Sequence, residues 1–204
     1  MALSGLALVG FLIVHLLGNL SILGSDSAFN DYAQKLEDLG PLLIVAEIGL
    51  LALFLFHIVL ALLVSLRNRS ARSVGYRAIG NMGEKTVGSR SMLVTGLLLG
   101  AFLIIHIIDF RVKKLMGLES AEDLGKLVRD RLTSPIGLSI YIGAGVLIGL
   151  HLSHGFKSAF QSLGLHHNKF NGTIRFVGYV LAIALAIGFA GVPIALRMGA
   201  GGSL

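Results

Sequence analysis

The sequence predicts an all-α integral membrane protein: five transmembrane helices, four forming a core and a fifth packed on it. Three observations carry this reading. Apolar residues make up 54% of the 204-residue chain and charged residues only 14%, where an ordinary soluble domain carries about 25% charged residues. Five apolar stretches are long enough to cross about 30 Å of hydrocarbon, which takes roughly 20 helical residues. Each of the first four also holds a histidine within its apolar run: His15, His57, His106 and His151.

The spans run approximately 2–23, 41–65, 91–110, 136–158 and 173–197, and residues 1–204 read as one transmembrane domain. The first has no small-residue cleavage site, so it reads as a span rather than a signal peptide. Met1 falls almost inside it, which points to a start further upstream. The second and fourth spans open at Pro41 and Pro135, as helices often do. Cysteine is absent. That excludes disulfides, iron–sulfur ligation, C-x-x-C-H haem attachment and thiol chemistry within this chain.

The connecting segments differ in charge. The first, GSDSAFNDYAQKLEDLG, holds one Lys and four acids, and its periodicity predicts a short amphipathic helix at the interface. The second, Arg67 to Arg90, holds six Lys/Arg and one Glu. The third, Asp109 to Ser134, holds six Lys/Arg and five acids. The fourth, Lys157 to Arg175, holds three basic residues and no acid. Net charge is +6, and in a membrane chain this excess reports topology. The second and fourth segments are expected on the cytoplasmic side, with the N-terminus inside and the C-terminus outside. The third segment, with its six basic residues, fits this orientation less well.

Spans one and three repeat with an offset of 91. Gly5, Phe11, Leu12, Ile13 and His15 recur as Gly96, Phe102, Leu103, Ile104 and His106, and Ser4 is replaced by Thr95. Spans two and four match more loosely, each with a histidine sixteen residues after its proline: His57 after Pro41 and His151 after Pro135. The two pairs of spans read as related helical units.

An ionisable side chain within a span is a functional hypothesis by default. At 1.5 Å rise per residue, His15 lies about 12 Å from the outer end of its span, and His106 falls in the outer half of its own. His57 and His151 lie about 12 and 10 Å from the inner ends of spans that run the other way. The histidines thus form an outer pair, His15 and His106, and an inner pair, His57 and His151. Two neutral imidazoles facing across a bundle suit a six-coordinate haem iron. Their second ring nitrogens then need acceptors of their own. Zinc would want three or four converging ligands. Gly10, Gly18, Gly100, Gly145 and Gly149 are small enough to admit a flat macrocycle, or equally to pack helices closely. His154 shares a face with His151 and is the alternative fourth ligand; it could instead meet a haem propionate.

Four blocks carry a family resemblance: FLIVHLLGNL, FNDYAQKLEDLGPLLIVAEIGLLALFLFHIVLAL, MLVTGLLLGAFLIIHIIDFR and HLSHGFKSAFQSLGL. In this order, and over nearly the whole chain, they resemble the cytochrome b membrane subunit of succinate dehydrogenases and fumarate reductases, of the single-chain, five-helix, di-haem type. The resemblance implies two haem b groups, with ligand pairs joining helices one with three and two with four. It implies a prokaryotic cell membrane, and a quinone, commonly menaquinone, as electron carrier. It also implies an iron–sulfur subunit and a flavoprotein subunit on the cytoplasmic face, which would hold the iron–sulfur clusters and the FAD. Some members carry an acidic residue two positions before the fourth ligand; here that position is Gly149, so the associated proton path does not carry over.

Other polar groups are candidates for the same chemistry. Glu47, in the outer half of span two, could exchange quinone protons, or could be a structural carboxylate bonded to Asn19, Ser21 or a neighbouring helix. Asp109 and Arg111 read as an interfacial ion pair or as part of that site. Arg90 and Lys157 lie where haem propionates could reach them, and His166 and His167 in the loop expected to face the iron–sulfur subunit. Two alternatives stay open: a cytochrome b subunit of another membrane dehydrogenase such as a hydrogenase, and a haem-free transporter using the histidines as a proton relay.

Overall fold

The computed structural model describes residues 1–70, 87–117, 124–165 and 167–201. Helix α1 (Ala2–Asn19) runs on through a 3-10 turn at Leu20–Leu23, followed by α2 (Asp26–Glu37) and α3 (Pro41–Ser70). Helix α4 (Val87–His106) continues as a π-helical stretch, Ile107–Val112, into a last turn, α5 (Lys113–Leu115). Helices α6 (Leu124–Thr133), α7 (Pro135–Ser162) and α8 (Asn168–Arg197) complete the chain. Among the described residues there is no strand. Five segments are long and apolar enough to cross a membrane: Ala2–Leu23, Pro41–Arg67, Ser91–Leu115, Pro135–Ser162 and Lys169–Arg197. These are the five predicted stretches; the third extends furthest beyond its predicted end, because the π-helical stretch carries the helix past His106.

Local sequence explains the helix ends. Ser25 caps α2 by accepting the Ala28 amide at 3.0 Å, and Ser134 caps α7 by accepting the Gly137 amide at 3.1 Å, with Pro135 in the first turn. Such caps satisfy amides that have no partner inside the helix. The turn from α2 into α3 passes through Gly40 at φ +56°, a conformation open to glycine at little cost.

Four helices form a ring. Helix α1 packs on α3 and α7, and α4 packs on α3 and α7, whereas the diagonal pairs α1/α4 and α3/α7 are not close neighbours. Contacts fix the directions. Ser4 and Phe11 of α1 meet His57 and Phe54 of α3, and Thr95 and Phe102 of α4 meet His151 and Tyr141 of α7. Neighbours are therefore antiparallel, and α1 runs parallel to α4.

Helix α8 lies against α1 and α7. Its approach to α7 rests on small residues: an alanine methyl at Gly145 would meet Ala190, and one at Gly149 would meet Ala186. Small residues four apart on facing helices let backbones come close, which holds helices together where apolar solvent gives no hydrophobic drive. Helix α3 is the least embedded of the five, and Leu42, Val45, Ile48, Leu55, Phe56 and Val59 are each more than half exposed. So continuous an apolar surface on a helix of this length suits contact with lipid.

The two short helices close one end. Ile22, Phe29, Val128, Leu132, Tyr141, Val192 and Leu196 form a buried cluster there. Arg129 of α6 bonds Asp26 of α2 at 2.7 Å and the Ala200 carbonyl at 2.9 Å. Lys114 pairs with Glu37, tying α5 to α2.

Candidate functional site

Three polar or charged side chains are buried among the described residues: Ser4 at 4%, Thr95 at 3% and Asp109 at 8% exposure. Each lies beside a histidine of the repeat. Buried polar groups need hydrogen-bond partners, and those partners define the site.

One pair of histidines meets across a diagonal of the ring. His15 of α1 and His106 of α4 face each other with ring centroids 5.7 Å apart and planes at 88°. Aromatic rings enclose them. Phe11 stacks on His15 at 5.1 Å, with Phe189 of α8 at 6.1 Å. Phe102, Phe110 and Tyr141 surround His106 at 5.8, 5.3 and 6.1 Å. His106 Nδ1 is buried with no hydrogen-bond partner.

The second pair spans the other diagonal. His57 belongs to α3 and His151 to α7, and each is held by the helix beside it. His57 Nδ1 is 3.1 Å from Ser4 Oγ, and His151 Nδ1 is 3.1 Å from Thr95 Oγ1. Gly5 and Gly96, the next residues, lie under these imidazoles: a Cβ there would sit 3.3 Å from His57 Cε1 and 3.2 Å from His151 Cε1. It is His151, not His154, that meets Thr95. His154 lies one turn on, close to Lys157. Eleven residues separate Ser4 from His15 and Thr95 from His106. That is three helical turns, so both positions share a face, about 16 Å apart along the axis.

Next to the His15–His106 pair lies a charged network. Asp109 accepts a hydrogen bond from Arg131 Nε at 2.7 Å and one from Tyr141 Oη at 3.0 Å. Arg111 instead reaches Glu47 of α3 at 2.6 Å. The expected Asp109–Arg111 pair is therefore not formed. Residues two apart on a helix do not face each other, and the π-helical stretch turns Asp109 inward. Glu47 takes its partner from a neighbouring helix segment, not from Asn19 or Ser21, whose side chains bond the carbonyls of His15 and Gly18 at 2.7 Å.

Of the glycines expected near the ligands, Gly145 and Gly149 serve α7–α8 packing and Gly18 receives the Tyr32 ring. A side chain at 149 would press on Ala186, which leaves an acid there no room. Gly10 is exposed with nothing near it, and Gly100 meets Ile58 at 3.8 Å. The glycines that touch imidazoles are Gly5 and Gly96. The Arg90 side chain and His166 lie outside the described residues. His167 Nδ1 accepts the Lys169 amide at 3.2 Å, beginning α8.

The spacing of one pair suits a shared metal. Two imidazoles bound to one metal at roughly 2 Å each need ring centroids about 6 Å apart, close to the spacing of His15 and His106. All four imidazoles keep partial exposure. No group of three or more His, Cys, Asp or Glu side chains converges among the described residues. Sequence reasoning noted Ser4 and Thr95 as a repeated pair without a role, and passed over Tyr141 and Arg131. The signal for the first two was a Ser/Thr–Gly dipeptide at a fixed eleven-residue offset before a histidine.

The chain matches no protein-family model, no curated protein and no solved structure.

Proposed function

We propose that this chain is a di-haem cytochrome b that anchors a succinate:quinone oxidoreductase in the membrane. One observation carries the reading: His15 and His106 face each other across one diagonal of a four-helix ring, with ring centroids 5.7 Å apart, and His57 and His151 sit on the other two helices about three helical turns away along the bundle. The four sequence blocks that resemble the family's membrane subunit support it further. A proton relay would need the histidines to be linked in file, and it gives no reason for His15 and His106 to face each other across a diagonal.

His15 with His106, and His57 with His151, would each hold one haem b. The two groups would supply one-electron carriers at two depths between an iron–sulfur subunit and a membrane quinone such as menaquinone. The chain's own contribution is position and exclusion. The aromatic rings around His15 and His106 narrow the access to that pair. Glu47, whose side chain is 38% exposed beside Arg111, is the better placed carboxylate for exchanging quinone protons. Asp109 is occupied by Arg131 and Tyr141 and serves to hold the helix ends. Lys157 and His154, just beyond His151, would meet the anionic propionates. Succinate or fumarate would be handled by a flavoprotein partner, not here.

The test is a reduced-minus-oxidised spectrum of the purified chain with pyridine haemochrome quantitation. Two b haems per chain are expected, and a chain without haem, produced where haem is supplied, would overturn the reading. Purification from mild detergent should bring a flavoprotein and an iron–sulfur protein with succinate dehydrogenase activity. A hydrogenase partner would instead favour the related alternative.

A further inference from the structure

Ser4 and Thr95 are buried, and each touches one of the histidines His57 and His151. Ser4 Oγ donates to the Met1 carbonyl at 2.8 Å. Thr95 Oγ1 donates to the Ser91 carbonyl at 2.9 Å, with the Met92 carbonyl at 3.2 Å. A hydroxyl has one hydrogen and two lone pairs. With that hydrogen committed to a backbone carbonyl, each oxygen can only accept from the imidazole 3.1 Å away. Nδ1 must then carry the proton, and Nε2 keeps its lone pair.

We infer that Ser4 and Thr95 are positioning residues that hold His57 and His151 as Nδ1–H tautomers, leaving Nε2 of each ring free to bind a haem iron. The inference rests on the di-haem reading for its iron, but the tautomer itself does not need the metal. Gly5 and Gly96 complete each seat. Their missing side chains let the imidazole edge lie against the facing helix, so the hydroxyl sets the ring's rotation and the glycine its depth. The carbonyl–hydroxyl–imidazole chain also polarises the ligand, because a donated second N–H raises the basicity of the coordinating nitrogen. The duplication supplies the same device twice, from α1 for α3 and from α4 for α7. No such acceptor serves His106.

The test uses Ser4→Ala and Thr95→Val, with Ser4→Thr and Thr95→Ser as conservative controls. In the haem-loaded chain, each of the first two should weaken binding of the His57–His151 haem by roughly 10- to 100-fold. Each should raise that haem's midpoint potential and leave the other haem's potential in place. The controls should restore both properties. Unchanged affinity and potential in Ser4→Ala and Thr95→Val would overturn the inference. If a variant loses the haem altogether, retention by its hydroxyl-bearing control supports the inference and loss in the control overturns it. The second readout is independent of haem. In the full haem-free chain labelled with 15N-histidine, the ring nitrogens of His57 and His151 should report Nδ1–H. The Nδ1–H population should fall in Ser4→Ala and Thr95→Val respectively, with the Met1 and Met92 carbonyls left as backbone acceptors. Nε2–H in the parent would sink the inference, while a parent that never takes up haem yet shows Nδ1–H would sink only the cytochrome reading.

Discussion

The two histidine pairs occupy similar places in the ring and are held by different means. At the His57–His151 level each imidazole has a hydroxyl partner and a glycine beneath it. At the His15–His106 level the rings sit among Phe11, Phe102, Phe110, Tyr141 and Phe189, and His106 Nδ1 has no partner. The difference follows from the architecture. The hydroxyl seats belong to the duplicated helices α1 and α4, so both copies inherited them. The other end is closed by elements outside the repeat: α2 and α6 form the cap with Ile22 and Val192, and α8 supplies Phe189. One level is thus held by hydrogen bonding within the repeat, and the other by apolar packing to which the repeat supplies Phe11 and Phe102 and the added parts supply Phe189.

The largest effect expected is the loss of a whole haem. His15→Ala and His106→Ala should each reduce the haemochrome yield from two to one per chain. So should His57→Ala and His151→Ala, with the surviving haem the same within each pair and different between pairs. Loss of the same haem from all four variants would erase the distinction between levels. Next comes Asp109→Ala, which strands Arg131 and the Tyr141 hydroxyl at the aromatic end. Breaking a buried ion pair by removing one partner costs about 3 kcal/mol or more. The midpoint of thermal unfolding in detergent should fall accordingly. The double variant Asp109→Ala/Arg131→Ala should recover part of the loss, because the uncompensated charge is gone. The seats at the other level should be unaffected, as read from the His57–His151 haem. A third, smaller effect is expected from Gly145→Ala, whose Cβ would lie 2.6 Å from the Ala190 amide nitrogen. Backbone does not step aside as a side chain can, so overpacking should cost about 2 kcal/mol. The shift should be felt at the His15–His106 level, where α8 contributes Phe189.

Much of this was legible in the sequence, and what was not has identifiable causes. The five apolar segments could be read because length and hydropathy need no tertiary knowledge. Span direction and rise per residue were enough to expect His15 at the level of His106, and their rings lie 5.7 Å apart. Helix α2 was visible in its periodicity. Helix α6 was not picked out, although Leu124, Leu127, Val128 and Leu132 follow helical spacing, because the charged residues around it read as a loop. Asp109 and Arg111 misled by adjacency: their true partners are 22 residues away on α6 and 64 residues away on α3. Glycine shows the same limit. Gly145 and Gly149 look like room for a cofactor until α8 is placed against them, and Gly5 and Gly96 look like ordinary packing until His57 and His151 are placed over them.

The smallest expected effect isolates that last point. Gly5 and Gly10 both sit in α1, both cost helix stability, and alanine is intrinsically preferred by about 1 kcal/mol at a helix interior position. At Gly10 nothing lies within 4 Å of an added Cβ, so Gly10→Ala should gain most of that increment. At Gly5 the methyl would meet His57 Cε1 at 3.3 Å. The ring must then retreat by a few tenths of an ångström or lose its alignment with Ser4, and the gain should be cancelled. Thermal unfolding of the two variants in the same detergent reads the difference directly. Equal stabilisation would mean that the imidazole is not seated on Gly5, and the contrast between a hydrogen-bonded level and a packed one would lose its geometric half.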